Sequence, residues 1–372
     1  MSKNRVARIP AVLAAVMLAV YIAMNIMGSY TNAGWFLMGF FIMLALSFRT
    51  HEILKGYAYT IMIFAAVSFA MYYPQYLTSI GGYQLSKLIV PLLQIIMFGM
   101  GAALSWRDFA RVLQMPKGVI VGIVCQFTLM PFIGYGLTKL FALPPEVAAG
   151  VILIGSCPSG LASNVISYLA RANLALSVTL TAVATLLAPL VTPFYMEFLA
   201  GEYVQVDFWS MMWDIITIII FPVGAGLLFN HFFHKRITLI QTVMPLISMV
   251  SIGFILAIIT AAGRDGLIEV GALLLVVVLM HNLTGYLLGY WLSRAVGMPE
   301  RDCRTIAIEV GLQNGGLASG LAKEMGKLAT VGLAPAIFGP VMNITGSTLG
   351  LWWRTKPIPG EEESEEAKAE TA

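Results

Sequence analysis

Apolar runs of about twenty residues succeed one another along this chain, separated only by short stretches of Gly, Pro or charge. A helix rising 1.5 Å per residue crosses a hydrocarbon layer of roughly 30 Å in about 20 residues. The runs predict twelve spans, at about 11–28, 33–49, 56–73, 87–105, 118–140, 146–170, 174–199, 208–231, 239–262, 267–294, 303–323 and 328–353. In lipid a backbone must satisfy its own polar groups within the segment, so every span should be a helix. Only 11% of the 372 residues are charged and 59% are hydrophobic, whereas soluble domains carry about 25% charge. An all-α polytopic membrane protein is the expected class.

An even number of spans leaves both termini on one side, expected to be the cytoplasmic side of a bacterial inner membrane. Seventeen of the 22 basic residues, among them Arg49, Arg107, Arg171, Arg294 and Arg304, then fall inside, and only Lys87, Lys139, Arg264, Lys323 and Lys327 fall outside. That asymmetry is what the positive-inside rule requires, and one missed span would reverse it for every later loop. Orientation thus explains the basic loops, and no nucleic-acid role follows from them. The basic flank and apolar run at the amino end read as an uncleaved first span. The stretch from Glu361 to Ala372 holds six of the 19 acidic residues and reads as a solvated, disordered cytoplasmic tail. Trp352 and Trp353, beside Arg354, read as an interfacial anchor. Cys125, Cys157 and Cys303 lie far apart, without metal-ligand spacing, so neither a disulfide frame nor a cysteine metal site is expected.

PSGLASN at residues 158–164 and NGGLASG at 314–320 share GLAS at an offset of 156. The same offset carries the third to seventh spans roughly onto the eighth to twelfth. Five spans per copy, an odd number, make the second copy enter the membrane inverted, the plan of many secondary transporters. The expected organisation is an added hairpin over residues 1–50, a first repeat over 51–200, a second over 201–356, and the tail over 357–372.

The repeats coincide with two places where helix chemistry fails. Pro158 removes a donor, and Gly155, Gly160, Gly311, Gly315 and Gly316 tolerate unusual backbone geometry. Both helices should unwind near mid-membrane, which is tolerable only where the freed groups face protein, water or a ligand. Ser163, Asn164 and Asn314 stand where they could cap the second halves. Glu309 is the acidic residue well inside an apolar run. A charged carboxylate there costs about 2.5–3.5 kcal/mol even on the lenient insertion scale, so a cation or proton must compensate it. Gln313 lies one helical turn later, with Gln126 in the fifth span and Ser177 and Thr181 four apart in the seventh. Read alone, the last two would bond the carbonyls four residues earlier. Together these oxygen donors, free of soft ligands, suit a hard cation.

At these residues, GSCPSGLASNVISYLARANLALSVTLTAVATLLAPLVTP (155–193) and IEVGLQNGGLA (308–318), the sequence resembles the bile acid:sodium symporter family, bacterial members above all, over about residues 56–353. The resemblance implies two crossing, unwound helices and two sodium ions. The first ion would be held by Ser163, Asn164, Ser177, Thr181 and Glu309. The second would be held by Gln126, Glu309, Gln313 and the carbonyls of Val310 and Leu312. Glu309 would be shared. It also implies an organic anion in a cleft between core and panel domains near the crossover, with Asn314 in contact and Gly160, Leu161, Gly315 and Asn343 nearby. Leu161 and Asn343 stand where some bacterial relatives have a Thr and a His, departures that remove a polar and a titratable group from the cleft region, and the added hairpin departs from the ten-span pattern.

The expected function is sodium-coupled symport of an organic anion, such as a bile-acid-like steroid, pantoate or pantothenate, or another keto or hydroxy acid, by alternating access. Sodium is the coupling ion and no other cofactor is implied. A proton-coupled carrier or a sodium/proton antiporter on the same fold is the alternative, with Glu309 titrating. An intramembrane enzyme is disfavoured. An aspartyl protease needs a second membrane carboxylate, and His281, the membrane histidine, reads as a satisfied interhelical side chain.

Overall fold

The structure, a computed structural model, describes residues 3–51, 54–233 and 237–358. The acidic tail from Glu361 onward lies outside the described residues. In chain order the helices are α1 (Lys3–Ile26), α2 (Tyr30–Arg49), α3 (Ala58–Tyr72), α4 (Gln75–Thr78), α5 (Ile89–Ala103), α6 (Trp106–Ala110), α7 (Pro116–Leu140), α8 (Pro145–Ser156), α9 (Ala162–Leu169), α10 (Leu174–Ala200), α11 (Phe208–Ile215), α12 (Phe221–Phe232), α13 (Ile237–Ala262), α14 (Arg264–Ala295), α15 (Glu300–Gly311), α16 (Gly315–Glu324) and α17 (Leu333–Arg354). A π-helical segment, Ile216–Ile220, joins α11 to α12. The sheet found among the described residues is one antiparallel hairpin, β1 (Ser79–Ile80) with β2 (Tyr83–Gln84).

This is an all-α polytopic membrane protein. Among the described residues nine helical stretches are long and apolar enough to cross a membrane. Two of the other expected spans are broken, into α8 with α9 and α15 with α16. The third, α17, is 22 residues long but is diluted by Asn343, Thr345, Ser347 and Thr348.

The chain forms two compact units. The first comprises Met1–Ala103, Thr217–Val276 and Gly316–Pro340. Within it the hairpin of α1 and α2 lies on α3. The Trp35 ring sits 4.8 Å from that of Tyr73, Tyr73 Oη donates to the Thr31 carbonyl at 2.7 Å, and the Tyr21 and Tyr72 hydroxyls meet at 3.1 Å. In the same unit α5 and α12 approach backbone to backbone. A Cβ at Gly226 would stand 2.1 Å from the Phe98 carbonyl oxygen, and one at Gly101 would stand 2.0 Å from that of Val223. Small residues are how membrane helices come this close, since lipid supplies no hydrophobic drive between them. Gly226→Ala should therefore push the two helices apart at a cost of about 1–3 kcal/mol, read as a lower melting temperature in detergent. An unchanged melting temperature would show that the contact is not this tight.

The second unit comprises Leu104–Ile216, Val277–Gly315 and Val341–Ala372, and α7, α8, α10 and α15 pack together in it. Gly155 lets α8 lie on α7, because a Cβ there would be 2.6 Å from the Met130 carbonyl oxygen. That carbonyl is also 2.9 Å from His281 Nε2, so the histidine joins α14 to α7, as the interhelical reading expects. Thr192 on α10 donates to the Ser156 carbonyl at 2.8 Å, satisfying the end of α8. Asn173 caps α10 by accepting from Leu176 N–H at 3.1 Å. Trp353 is not an interfacial anchor: it is buried, with the Arg304 guanidinium 5.9 Å from its ring centroid. Trp352 is the exposed member of the pair.

Candidate functional site

The site lies in the second unit, where the interrupted helices meet. α8 ends at Ser156 and α9 begins at Ala162; α15 ends at Gly311 and α16 begins at Gly315. The two unwound stretches pair as a short antiparallel bridge, Ser159 with Gln313. Gly160 N–H donates to the Leu312 carbonyl at 3.2 Å, and Asn314 N–H donates to the Pro158 carbonyl at 2.8 Å. Each broken helix thus satisfies groups freed by the other, which is how non-helical backbone persists away from water. A Cβ at Gly160 would come within 3.2 Å of the Gln313 carbonyl oxygen, so the crossing itself calls for a residue without a side chain.

Glu309 is carried to this crossing by the last turn of α15 and is 2% exposed. Its carboxylate accepts from three hydroxyls: Ser177 at 2.5 Å on Oε1, and Ser159 at 2.5 Å and Thr181 at 3.0 Å on Oε2. No basic side chain among the described residues forms an ion pair with it. The hydroxyls are over-committed. Ser177 Oγ is also 2.9 Å from Asn164 Oδ1, and Thr181 Oγ1 is also 3.0 Å from the Ser177 carbonyl. A hydroxyl has one proton and two lone pairs, so each of these two groups faces more acceptors than it can serve. The four-back carbonyl bond expected of Thr181 exists, but the same hydroxyl also turns to the carboxylate. Ser163 Oγ donates to the Gly160 carbonyl at 2.8 Å and lies 3.3 Å from Thr181 Oγ1.

A second knot surrounds Gln126 on α7. Its Nε2 donates to the Cys157 carbonyl at 3.0 Å and to Gln313 Oε1 at 2.9 Å. Gln313 Nε2 in turn donates to the Val310 carbonyl at 2.5 Å. Gln126 Oε1 is buried and has no hydrogen-bond partner, a condition costing about 1–3 kcal/mol unless a donor or cation reaches it. Every donor atom around both knots is oxygen or amide, and among the described residues no cluster of three His, Cys, Asp or Glu side chains exists. Such a set fits a hard monovalent cation and not a soft transition metal.

The structure thus gathers Gln126, Ser163, Asn164, Ser177, Thr181, Glu309 and Gln313 about the crossing, together with the Val310 and Leu312 carbonyls. Gly160, Asn314 and Gly315 lie in or beside the paired stretches, and Leu161 follows Gly160. Asn343 makes no hydrogen bond to the crossing among the described residues; its helix reaches it through Gly346, where a Cβ would lie 3.2 Å from the Leu312 side chain. The capping roles expected of Ser163 and Asn164 are not realised. Leu161 is the cap position of α9 and makes no side-chain cap bond; Ser163 bonds back to the Gly160 carbonyl, and Asn164 is engaged by Ser177. Sequence reasoning missed Ser159, whose signal was its place beside Pro158 in the unwound stretch.

The profile of the Sodium Bile acid symporter family matches residues 90–270. The sodium-dependent transporter YocS of Bacillus subtilis is 39% identical over 297 residues, 80% of this chain and 90% of its own. The "Probable sodium/metabolite cotransporter BASS1, chloroplastic" of Oryza sativa is 35% identical over 275 residues, 72% of this chain and 68% of its own. The ileal sodium/bile acid cotransporter of Cricetulus griseus is 30% identical over 239 residues, 63% of this chain and 68% of its own. With a relative this similar along nine-tenths of its length, the chain belongs to the sodium bile acid symporter family, and it is a multi-pass membrane transporter, not an enzyme.

Proposed function

We propose that this protein is a sodium-coupled symporter of an organic anion, working by alternating access with two sodium ions at the crossing. The observation that carries the reading is the shortage of protons around Glu309: a buried carboxylate without a basic partner, ringed by hydroxyls that have more acceptors than hydrogens. A sodium ion among Ser163, Asn164, Ser177, Thr181 and Glu309 would let those hydroxyls turn their lone pairs toward it. A second, among Gln126, Glu309, Gln313 and the Val310 and Leu312 carbonyls, would occupy the orphaned lone pairs of Gln126 Oε1. Two monovalent ions over-compensate one carboxylate, so an anion can approach the crossing after they bind.

The substrate side rests on Asn314, Gly160, Leu161 and Gly315, with Asn343 on α17. Gly315 opens α16, and the amide end of a helix attracts an anion's negative charge. Relatives named for bile acid and for metabolites support an organic anion of the steroid, pantoate or keto-acid kind. The inverted repeats over 51–200 and 201–356, the added hairpin, and a bacterial inner-membrane location with both termini cytoplasmic complete the reading, supported by the 156-residue offset and the loop charges.

The test is uptake by proteoliposomes of a panel comprising taurocholate, pantoate and pyruvate. Accumulation of one of these should follow an inward sodium gradient at fixed pH. Accumulation that follows a proton gradient in sodium-free buffer overturns the reading in favour of a proton-coupled carrier. Within the site, Ser159→Ala should raise the half-saturating sodium concentration roughly tenfold, the loss expected when a hydrogen bond to a charged group disappears. An unchanged sodium dependence in that variant would remove Ser159 from the machinery.

A further inference from the structure

Gly311, the last residue of α15, is held by a second set of side chains that lie outside the proposed ligand shells. Asn282 on α14 is fully buried, and its Nδ2 donates to the Gly311 carbonyl at 2.8 Å. Its Oδ1 accepts from Thr345 Oγ1 on α17 at 2.6 Å. Tyr286, one turn along α14, has its hydroxyl 3.3 Å from Thr345 Oγ1 and donates to the Met342 carbonyl at 3.4 Å. Its ring lies flush on Gly311, where a Cβ would be 2.1 Å from Cε1. Both sides of the Asn282 amide are thereby committed.

Asn282 stands 156 positions after Gln126, the offset that relates the two GLAS segments. Gln126 Nε2 donates to the Cys157 carbonyl, just past the end of α8, as Asn282 Nδ2 donates to the Gly311 carbonyl, at the end of α15. In each copy a long helix preceding the broken one sends a carboxamide to the carbonyl end of its first half. The copies then diverge. Gln126 keeps an unpartnered Oε1, while the shorter Asn282 spends its oxygen on Thr345.

We infer that Asn282 and Thr345, with Tyr286 behind them, are positioning residues that set the direction of the carbonyls leaving α15 and so fix the sodium affinity of the site; this rests on the sodium reading given above. Leu312 is extended, with φ −100° and ψ 96°, and successive carbonyls of an extended chain point in opposite directions. Pinning the Gly311 carbonyl toward α14 therefore turns the Leu312 carbonyl the other way, into the crossing, where it meets Gly160 N–H at 3.2 Å. Without the brace that peptide keeps only its N–H bond to the Ile308 carbonyl at 2.9 Å, its carbonyl end is free to tilt, and the aim of the Leu312 oxygen loosens.

The experiment measures equilibrium binding of radioactive sodium alone to the purified full-length protein in detergent, with potassium as the control ion. Asn282→Ala and Thr345→Val should each raise the half-saturating sodium concentration about tenfold, the equivalent of one buried hydrogen bond. Thr345→Ser, which keeps the hydroxyl, should stay within about twofold of the wild type. A packing role alone would lower the sodium-free melting temperature and leave the sodium affinity unmoved. Unchanged affinity in both Asn282→Ala and Thr345→Val, or equal losses in Thr345→Ser and Thr345→Val, overturns the inference. Glu309→Ala run in parallel separates the two claims. If it binds sodium like the wild type, the ion site itself is wrong; if it loses binding while Asn282→Ala and Thr345→Val do not, only the brace is wrong.

Discussion

Glu309→Ala is expected to abolish sodium-driven uptake, by at least about 100-fold, or roughly 3 kcal/mol of ion binding, while the protein still folds. Loss of ion binding follows because Glu309 is the formal charge at the crossing and would be shared by both proposed ions. Coulomb attraction between unit charges 4 Å apart is about 4 kcal/mol even at an effective dielectric constant of 20, and no neutral oxygen replaces it. Folding survives because two of the hydroxyls that now face the carboxylate have other acceptors in reach: Thr181 has the Ser177 carbonyl at 3.0 Å and Ser177 has Asn164 Oδ1 at 2.9 Å. Glu309→Gln is the sharper variant, since it keeps the shape and removes the charge. Uptake is measured in proteoliposomes with sodium replaced by choline, and folding by gel filtration. Sodium-driven accumulation by the glutamine variant at the wild-type rate would mean that charge compensation is not what the ion supplies.

Much of this site could be read from the chain because its elements break local rules. Pro158 cannot continue a regular helix, the glycines at 160, 311 and 315 weaken one, and Glu309 cannot sit in lipid uncompensated, so the two breaks and the carboxylate declare themselves without coordinates. The residues that escaped are those whose role depends on direction. Ser159 stands in the unwound stretch, and nothing in its neighbours says that its hydroxyl faces Glu309 rather than the backbone. Ser163 and Asn164 were legible as polar groups after a break, but whether such groups cap their own helix or reach across to α10 is decided by tertiary packing. Asn282 lies inside an apolar run, and Thr345 also has its local Val341 and Met342 carbonyls in reach; that Asn282 links Thr345 on α17 to the Gly311 carbonyl on α15 is a three-helix fact. Arg304 misled in the other direction. As a basic residue near a span end it read as an orientation signal, and the fold buries it.

The largest structural effect outside the site should follow from Arg304→Met. The guanidinium is 1% exposed in the first turns of α15, five residues before Glu309. Its Nε is 2.8 Å from Glu300 Oε1, and its Nη atoms donate to the carbonyls of Ala170 at 3.3 Å, Trp353 at 3.0 Å and Pro357 at 3.1 Å. One cation thus ties α15 to the end of α9 and to the chain leaving α17. Removing one partner of a buried ion pair costs about 3–5 kcal/mol because the other charge is left behind. Here the lower end of that range is expected, since Glu300 retains the Tyr290 hydroxyl at 2.8 Å and Arg294 at 3.1 Å. The Trp353 carbonyl keeps the Lys356 N–H at 3.0 Å, whereas the Ala170 and Pro357 carbonyls lose the donor that Arg304 supplies. The melting temperature in detergent should fall clearly for Arg304→Met, and Arg304→Met with Glu300→Gln should recover part of the loss, because the double variant no longer buries an under-compensated carboxylate. If the double variant melts below the single one, the stranded charge is not the source of the loss, and the carbonyl contacts of Arg304 carry the stability by themselves.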